Sequence, residues 1–240
     1  MPRTLGDPRT LRADAASPVT VVHAGEVPYL TAWDWQRQLA SRRQADEIGD
    51  VLLLLEHPRV YTLGRRADET NLVFDADERA RRGIELHRID RGGDVTYHGP
   101  GQLVGYPIWR LAGPRVVDHV RTLETVNLEL AASYGVSGQR IEGLSGVWVD
   151  GAKLTAVGVH VTAGGVTTHG WATNVVTDLD DFAGIVPCGI ADRPVTSLQR
   201  LGVEVEVRDV AERTAAVLAD VVDAEVVHRS LADLGISPTG

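Results

Sequence analysis

The chain has 240 residues, 43% of them hydrophobic, which is enough for one large domain or two small ones with a sizeable core. Its net charge of −9 argues against nucleic acid as the main partner, because binding to phosphates calls for a net basic face. The single cysteine, Cys188, excludes an internal disulfide and any metal site built from several cysteines.

The apolar runs of the chain are short. The longest, residues 51–55, is far shorter than the roughly 20 residues that a membrane-spanning helix needs. The first residues are polar and charged, unlike the apolar segment of a signal peptide. We therefore expect a cytoplasmic protein with no membrane partner and no nucleic-acid partner.

Residues 1–17 are mostly polar and predict a flexible N-terminal tail. The remainder, 18–240, contains no linker and predicts a single domain, with a small C-terminal lobe as an option after about residue 185. Hydrophobic patterning predicts, in chain order, strand 19–23, helix 29–48, strands 51–56 and 60–63, helix 75–82, strands 84–89 and 103–108, helix 117–134, strands 147–149, 153–161 and 166–175, and helix 209–227.

Local signals define several boundaries. Asp150-Gly151 predicts a two-residue hairpin turn, and Gly135 predicts the end of the preceding helix. Asp209 and Glu212 predict a capping box at the start of the last helix. Because helices are mixed with a β-meander in the middle of the chain, we predict an α+β fold with a mixed, largely antiparallel sheet flanked by helices.

Cys188 lies in the stretch G-I-V-P-C-G-I, residues 184–190. A lone cysteine is commonly a small buried hydrophobe. Its neighbours Pro187 and Gly189 predict a loop, however, and a glycine beside a nucleophile lets backbone N–H groups approach a developing oxyanion. The residues by themselves leave both interpretations open.

Lys153 is one of the few charged residues of the meander and begins an apolar stretch. One interpretation is a lysine at the surface of the hairpin turn. The other is a lysine drawn into an apolar pocket, where desolvation disfavours its charged form and makes it a base, or a cation that favours a nearby thiolate.

The stretch R-G-G-D-V-T-Y-H-G-P-G-Q, residues 91–102, combines glycines with polar side chains. It lacks the G-K-[ST] of a phosphate-binding loop, so close approach of the backbone to a ligand explains its glycines better. A second unusual stretch places His169 beside Gly170 within a predicted strand. His98, Lys153, His169 and Cys188 thus offer a nucleophile and proton-handling groups, although spacing alone does not bring them together.

Other active-site patterns are missing from the sequence. There is no G-x-S-x-G stretch of a serine hydrolase. There is also no H-E-x-x-H stretch or cysteine cluster for a metal. We therefore expect no metal and no cofactor.

Five stretches, taken together, resemble one known family. They are L-L-E-H-P-R-V-Y-T-L-G-R (54–65), R-G-G-D-V-T-Y-H-G-P-G-Q-L-V-G-Y-P-I (91–108), G-V-W-V-D-G-A-K-L-T-A-V-G-V (146–159), T-H-G-W-A-T-N-V (168–175) and I-V-P-C-G-I (185–190). In this order, over roughly residues 20–220, they resemble the octanoyltransferases of lipoate biosynthesis, the lipoyl/octanoyl-[acyl-carrier-protein]–protein N-octanoyltransferase family. Thr155 and Thr173 depart from the small apolar residues that the family more often has there.

The resemblance implies a fold shared with biotin and lipoate protein ligases, and an acyltransferase domain over residues 18–240. It implies that Cys188 is the nucleophile that forms an acyl thioester and that Lys153 is its acid/base partner. The substrate-binding residues that it implies are Arg91, Gly92, Gly93, Asp94, Val95, Thr96, Tyr97, His98, Ala156, Val157, Gly158, His169, Gly170 and Trp171.

The resemblance also implies the partners. The donor is octanoyl-acyl carrier protein, and the acceptors are lipoyl domains of 2-oxoacid dehydrogenase E2 subunits and the glycine cleavage H protein, in the first step of endogenous protein lipoylation. Such carriers are generally acidic, so we expect a local basic patch at the pocket mouth, with Arg65, Arg66, Arg79, Arg81 and Arg82 as candidates.

Three alternatives remain at this point. An ATP-dependent lipoate or biotin protein ligase on the same fold would use free acid and would not need Cys188. A non-catalytic module that binds acyl-carrier protein would never form a covalent adduct. A cysteine hydrolase would release free acid without an acceptor.

Overall fold

A computed structural model describes residues 6–186 and 193–237, so Cys188 lies outside the described residues. The strands are β1 (Val19–Glu26), β2 (Val51–Glu56), β3 (Val60–Leu63), β4 (Glu85–Arg88), β5 (Val95–His98), β6 (Gln102–Ile108), β7 (Gln139–Ile141), β8 (Leu144–Val149), β9 (Ala152–Val161), β10 (Thr167–Asn174) and β11 (Val226–His228). The α-helices are α1 (Tyr29–Gln44), α2 (Ala76–Arg82), α3 (Val116–Ser133) and α4 (Val207–Val222).

The described strands form two sheets. The larger has eight strands in the order β11-β1-β2-β6-β10-β9-β8-β7, and the smaller has the order β4-β3-β5. In the large sheet β1 is parallel to β2 and to β11, and the other pairs are antiparallel. The predicted α+β fold with a mixed, largely antiparallel sheet is confirmed.

Both faces of the large sheet are covered, which explains why β2 is apolar throughout. Leu52 and Leu54 belong to a hydrophobic cluster that includes residues of α3 and α4. Leu53 and Leu55 belong to a second cluster that includes residues of α1. Because successive side chains of a strand point to opposite faces, α1 covers one face of the sheet while α3 and α4 cover the other.

The hairpin between β8 and β9 turns as predicted. Asp150 and Gly151 have φ values of 48° and 81°, and a turn with positive φ at both central residues matches the twist of the strands. Gly135, with a φ of 76°, follows the end of α3 as predicted. The turn leads directly into Lys153 on β9.

The N-terminal residues correct one prediction. Residues 6–17 do not form a loose tail: Leu11 is fully buried in the cluster with α3 and α4, and the Arg12 guanidinium donates to the buried Asp50 carboxylate at 2.6 Å. One apolar and one charged side chain make these contacts, a pattern too short to stand out in a polar segment.

The C-terminal region corrects two details. Helix α4 begins at Val207 with Glu206 as its N-cap residue and no side-chain capping bond, so the capping box predicted at Asp209 does not form. The helix also ends at Val222, and residues 226–228 form β11 beside β1. Val210 and Leu218 of α4 lie in the same cluster as Leu52 of β2.

Candidate active site

A cavity of about 1000 Å³, counted with its open mouth, lies between strands β6, β10 and β9 and the segment 91–98. Lys153 lines it, as do most of the predicted substrate-binding residues: Arg91, Gly92, Gly93, Asp94, Val95, Thr96, His98, Ala156, Val157, Gly158, His169, Gly170 and Trp171. The structure therefore brings together three stretches that are far apart in the sequence. Cys188 falls outside the described residues.

Lys153 lines the cavity beside residues 194–196, with which its backbone is hydrogen-bonded. Its backbone N–H donates to Pro194 O at 2.9 Å, and Thr196 N–H donates to its carbonyl at 3.0 Å. The Lys153 ammonium lies 4.6 Å from the centre of the Trp148 ring, and the Arg193 guanidinium lies 5.6 Å from the same ring. A cation over an indole face is stabilised electrostatically, so Trp148 holds the lysine amine at the cavity.

A chain of hydrogen bonds runs from His98 toward Lys153. His98 Nδ1 is 2.8 Å from Gln102 Oε1, and Gln102 Nε2 donates to Asn174 Oδ1 at 2.9 Å. Asn174 Nδ2 donates in turn to the carbonyl of Thr196 at 2.9 Å. These hydrogen bonds thus connect His98 to the segment that is bonded to the Lys153 backbone.

The loop that begins at Arg91 forms the other wall. Gly92 N–H donates to Val159 O at 2.9 Å, which fastens the loop to β9. The buried Arg91 guanidinium donates to Thr62 O at 2.7 Å and to Gly92 O at 3.0 Å. A side chain at Gly64 would collide with Gly93 O at 2.4 Å, so the glycine there lets the two backbone segments approach each other closely.

His169 is held by three separate constraints. It has a φ of 58° within β10, a region that non-glycine residues adopt at a cost. Its backbone N–H donates to Gln36 Oε1 of α1 at 2.7 Å, and its Nε2 is 2.8 Å from Asp90 Oδ1. The hydrogen bond to His169 lowers the pKa of Asp90 to about 2, while burial lowers the pKa of His169 below its ordinary value.

A buried cluster of aromatic and histidine side chains borders the cavity: Tyr29, His98 and Tyr106 line it, and His57, which the sequence did not indicate, contacts all three. His57 Nε2 is 2.7 Å from the Tyr106 hydroxyl, and His57 Nδ1 is 2.7 Å from Val27 O. Burial lowers the pKa of His57 to about 4 and that of His98 well below its usual value. Both rings are therefore neutral at pH 7. Burial also raises the pKa values of the Tyr29 and Tyr106 hydroxyls.

Tyr97 is the one predicted pocket residue that does not line the cavity. Its ring packs with Tyr61 and Phe182, and its hydroxyl donates to Asp181 Oδ2 at 3.0 Å. Asp181 belongs to a 3-10 helix, Asp180–Gly184, whose Phe182 does line the cavity. Tyr97 thus anchors the segment that precedes Cys188 instead of facing the cavity.

Several lining residues were not predicted. They are Tyr29, Gln102, Tyr106, Ser145, Trp148, Ala172, Asn174, Phe182, Arg193 and Val195. Five of them, Gln102, Tyr106, Trp148, Ala172 and Asn174, do stand within the quoted motifs, so the signal was present in part. Tyr29 stands apart from them, in a helix whose pattern indicated only packing.

Thr155 and Thr173, the two departures from the family pattern, are buried away from the cavity. Their hydroxyl oxygens are 2.9 Å apart, and Thr173 Oγ1 donates to Asn127 Oδ1 of α3 at 2.7 Å. Their hydroxyl groups join the sheet to α3 and do not shape the cavity.

The candidate basic residues separate into two groups. Arg81 and Arg82 form ion pairs with Glu78, and Arg82 also pairs with Asp181 at 3.2 Å. Arg65 and Arg66 are exposed and take part in none of the ion pairs formed among the described residues. Their backbone N–H groups donate to Arg91 O at 3.0 Å and Gly93 O at 3.2 Å, next to the cavity.

Two further properties hold for residues 6–186 and 193–237. No three His, Cys, Asp or Glu side chains in these ranges cluster as ligands of a metal ion. None of the helices found there combines the length and the apolar character that crossing a membrane requires.

Comparison with known proteins assigns the chain to a family. The lipoyl protein ligase A/B catalytic domain matches residues 28–219. An octanoyltransferase from Chloroflexus aggregans is 49% identical over 215 residues, which cover 88% of this chain and 97% of that protein. An octanoyltransferase from Gloeobacter violaceus is 54% identical over 191 residues, which cover 78% of this chain and 83% of that protein.

The fold has a counterpart among solved structures. A bi-partite lipoate protein ligase from Thermoplasma acidophilum aligns with a TM-score of 0.70 at 18% identity, covering 90% of this chain and 87% of that one. At such low identity the likeness establishes the fold alone, whereas the sequence relatives are nearly full-length matches. The chain therefore belongs to the lipoyl protein ligase A/B catalytic domain family and, within it, to the enzymes named octanoyltransferases.

Proposed function

We propose that the enzyme transfers an octanoyl group from octanoyl-acyl carrier protein to a lysine of apo lipoyl domains through a thioester on Cys188, with Lys153 as acid and base. The observation that carries the proposal is the placement of Lys153 at a cavity with an apolar floor. Phe182 and Arg193, which precede and follow Cys188 by a few residues, line the same cavity.

The composition of the chain supports this role for Lys153. Lysine and arginine together number 24, and Lys153 is the only lysine among them. An arginine supplies a positive charge but does not give up its proton in proteins. The proposed role requires a group that both carries and releases a proton, and a lysine meets this requirement where an arginine does not.

In the first half-reaction the Cys188 thiolate attacks the carbonyl carbon of the donor thioester. The new C–S bond forms as the bond to the carrier's sulfur breaks, and the departing thiolate takes a proton from the Lys153 ammonium. One thioester replaces another, so the exchange is nearly isoenergetic and needs no ATP. A cation near Cys188 favours the thiolate, which is otherwise a minor species at neutral pH.

In the second half-reaction the acceptor amine attacks the Cys188 thioester. Lys153, now neutral, takes the proton that the amine loses as the amide bond forms, and Cys188 departs as a thiolate. The resting pair of ammonium and thiolate is thereby restored. Amide formation from a thioester is downhill, which drives the cycle.

The apolar surface of the cavity binds the acyl chain. Ala156, Val157, Ala172 and Trp171 present apolar surface along it. Burying a methylene group contributes about 0.8 kcal/mol, so an eight-carbon chain gains on the order of 5 kcal/mol from the cavity before any contact with the carrier.

The chain's unique cysteine makes a direct test simple. The enzyme is mixed with octanoyl-acyl carrier protein, without ATP or acceptor, and its intact mass is measured. We expect an octanoyl mass increment that is absent in Cys188→Ala and that disappears when an apo lipoyl domain is added. Activity that requires ATP and free octanoate, and that survives in Cys188→Ala, would instead identify a ligase.

A further inference from the structure

Alternate residues of two paired strands form a floor of small side chains in the cavity. On β9 these are Ala156 and Gly158, and on β10 they are Gly170 and Ala172. The register pairs Ala156 with Ala172 and Gly158 with Gly170. Residues two apart on a strand face the same side, so Ala156 and Gly158 point toward the segment 91–98 together.

The cavity narrows sharply over Gly158. A Cβ atom at this position would lie 3.1 Å from Gly92 O and 3.5 Å from the Arg91 side chain. One residue further, the hydrogen bond of 2.9 Å from Gly92 to Val159 O joins the loop to the strand. The cavity is therefore closed over Gly158 by the backbone of the loop and of β9.

The part of β9 that lines the cavity is long enough for the acyl group. At about 3.3 Å per residue, Ala156 and Gly158 lie up to roughly 10 Å and 16 Å along the strand from the Cα atom of Lys153. An extended eight-carbon chain spans about 9 Å, given C–C bonds of about 1.5 Å. The floor of the cavity and the acyl chain therefore have lengths of the same order.

We propose that the Ala156–Ala172 pair and Gly158, closed by Gly92 and Arg91, set the maximum acyl chain length that the enzyme accepts. This inference rests on the proposed function and names the residues that determine its substrate class. A longer chain has no room beyond Gly158, because the loop is hydrogen-bonded to the strand there.

The cavity wall beside Gly158 carries a polar group, the Tyr106 hydroxyl, that already has a hydrogen-bond partner. Tyr106 lines the cavity and directly follows Gly105, which pairs with Trp171 of β10. Its hydroxyl is bound to His57 at 2.7 Å. Methylene groups pushed against this wall would displace a buried hydrogen bond without replacing it, which disfavours longer chains further.

The test compares rates of thioester formation with hexanoyl-, octanoyl- and decanoyl-acyl carrier protein, followed by intact mass. Gly158→Ala and Ala172→Val narrow the channel, and one methylene in an apolar pocket is worth roughly 10- to 200-fold in discrimination. We expect the hexanoyl-to-octanoyl ratio of rates to rise at least tenfold in both variants. Ala172→Gly widens the channel and should raise the decanoyl-to-octanoyl ratio.

Thr173→Val is the matched control, because Thr173 lies on the same strand but is bonded to Asn127 on the other face. Its chain-length ratios should equal those of the wild type. Gly158 does not have a positive φ, so alanine fits its backbone. Unchanged ratios in the folded Ala172 variants would overturn the chain-length proposal while leaving the transfer reaction intact. Absence of adduct from every donor in the wild type would overturn the proposed function itself.

Discussion

Lys153 has two separable duties in the proposed cycle: its charge favours the Cys188 thiolate, and its proton is given up in the first half-reaction and taken back in the second. Lys153→Arg keeps the charge and removes the proton transfer, because a guanidinium does not deprotonate. We expect the octanoyl adduct on Cys188 still to form, because a thiolate can leave without being protonated, while transfer to the lipoyl domain slows by 100-fold or more. Intact mass follows the first step, and single-turnover transfer from preformed adduct follows the second.

A neutral variant completes this comparison. Lys153→Met removes both duties, so it should slow adduct formation as well as transfer. Equal slowing of the two half-reactions in Lys153→Arg would contradict the assignment of a base. Because Lys153 is the only lysine, its acetylation as a function of pH, located by peptide mass spectrometry so that Cys188 and the N-terminal amine are counted separately, reports its ionisation.

His119 is a buried histidine with no part in the cavity. Its ring lies edge-on to Trp109 at 5.5 Å, and neither ring nitrogen has a hydrogen-bond partner within the described part of the chain. Burial lowers its pKa to about 3. The unfolded chain, with an ordinary histidine, therefore binds a proton below about pH 6.5 that the folded chain does not bind until about pH 3.

His119→Leu should reduce the loss of stability in acid. In the wild type this histidine lowers the free energy of unfolding by on the order of 1 kcal/mol for each pH unit below its ordinary pKa of about 6.5, whereas leucine does not lower it. The difference between variant and wild type should therefore grow in favour of the variant as the pH falls from 7 to 5. Urea unfolding at the two pH values measures it, and equal differences would contradict the buried neutral state.

At the scale of elements, Asp50 ties three parts of the chain together. Its carboxylate, fully buried, accepts from Arg12 Nε at 2.6 Å, from Arg43 Nε of α1 at 2.7 Å and from the Arg110 N–H at 3.1 Å. The N-terminal segment, α1 and the end of β6 thus share one counter-ion. A buried charge that loses its partner is costly, so this network is where the fold is most sensitive to a single exchange.

Asp50→Asn should destabilise the protein by about 3 to 5 kcal/mol, because it leaves two buried guanidiniums without their shared carboxylate. The measurement is the urea midpoint at pH 7. Asp46→Asn is the matched control: Asp46 also pairs with Arg43 but its side chain is 64% exposed, so we expect a much smaller loss of stability. Similar losses in both variants would show that burial of Asp50 is not decisive.

The elements also show what a sequence can predict. β2 and β3 have the predicted bounds. Each is a mostly apolar run, and charged residues or glycine mark the ends of the run. β11 was missed because three residues show no periodicity, and its strand exists only through pairing with β1, some 200 positions earlier in the chain. Residues 6–17 were missed for the same reason, since Asp50 and the main cluster supply their partners.

The site follows the same rule. The glycine-rich stretches, Lys153 and His98 were visible in the sequence, because their expected roles depend on their own residue types. Tyr29 was not, because it acts through what it contacts, and only the fold places it at the cavity. Tyr97 shows the converse, since strand alternation turns its ring away from a cavity that its neighbours Thr96 and His98 line.

At the scale of the whole molecule, the charge of −9 opposes an acidic carrier. Arg65 and Arg66 are exposed next to the cavity loop, whereas Arg81 is neutralised by Glu78. Charge acts over a Debye length of about 8 to 10 Å, so the local pair can outweigh the net charge for a partner at the mouth. We therefore expect Arg65→Gln/Arg66→Gln to raise the KM for octanoyl-acyl carrier protein several-fold at low salt.

A control that loses the same charge far from the cavity mouth distinguishes the effect of Arg65 and Arg66 from the effect of the net charge. Arg81→Gln/Arg208→Gln changes the net charge equally, but Arg208 lies on α4 in an exposed pair with Glu212, so its KM should match the wild type. The kcat should stay the same in both double variants, since neither touches the cavity chemistry. At high salt the Arg65/Arg66 effect should disappear, because the screening length falls to about 3 Å in 1 M salt. An equal rise of KM in both double variants would mean that the net charge, and not the pair at the mouth, governs the encounter.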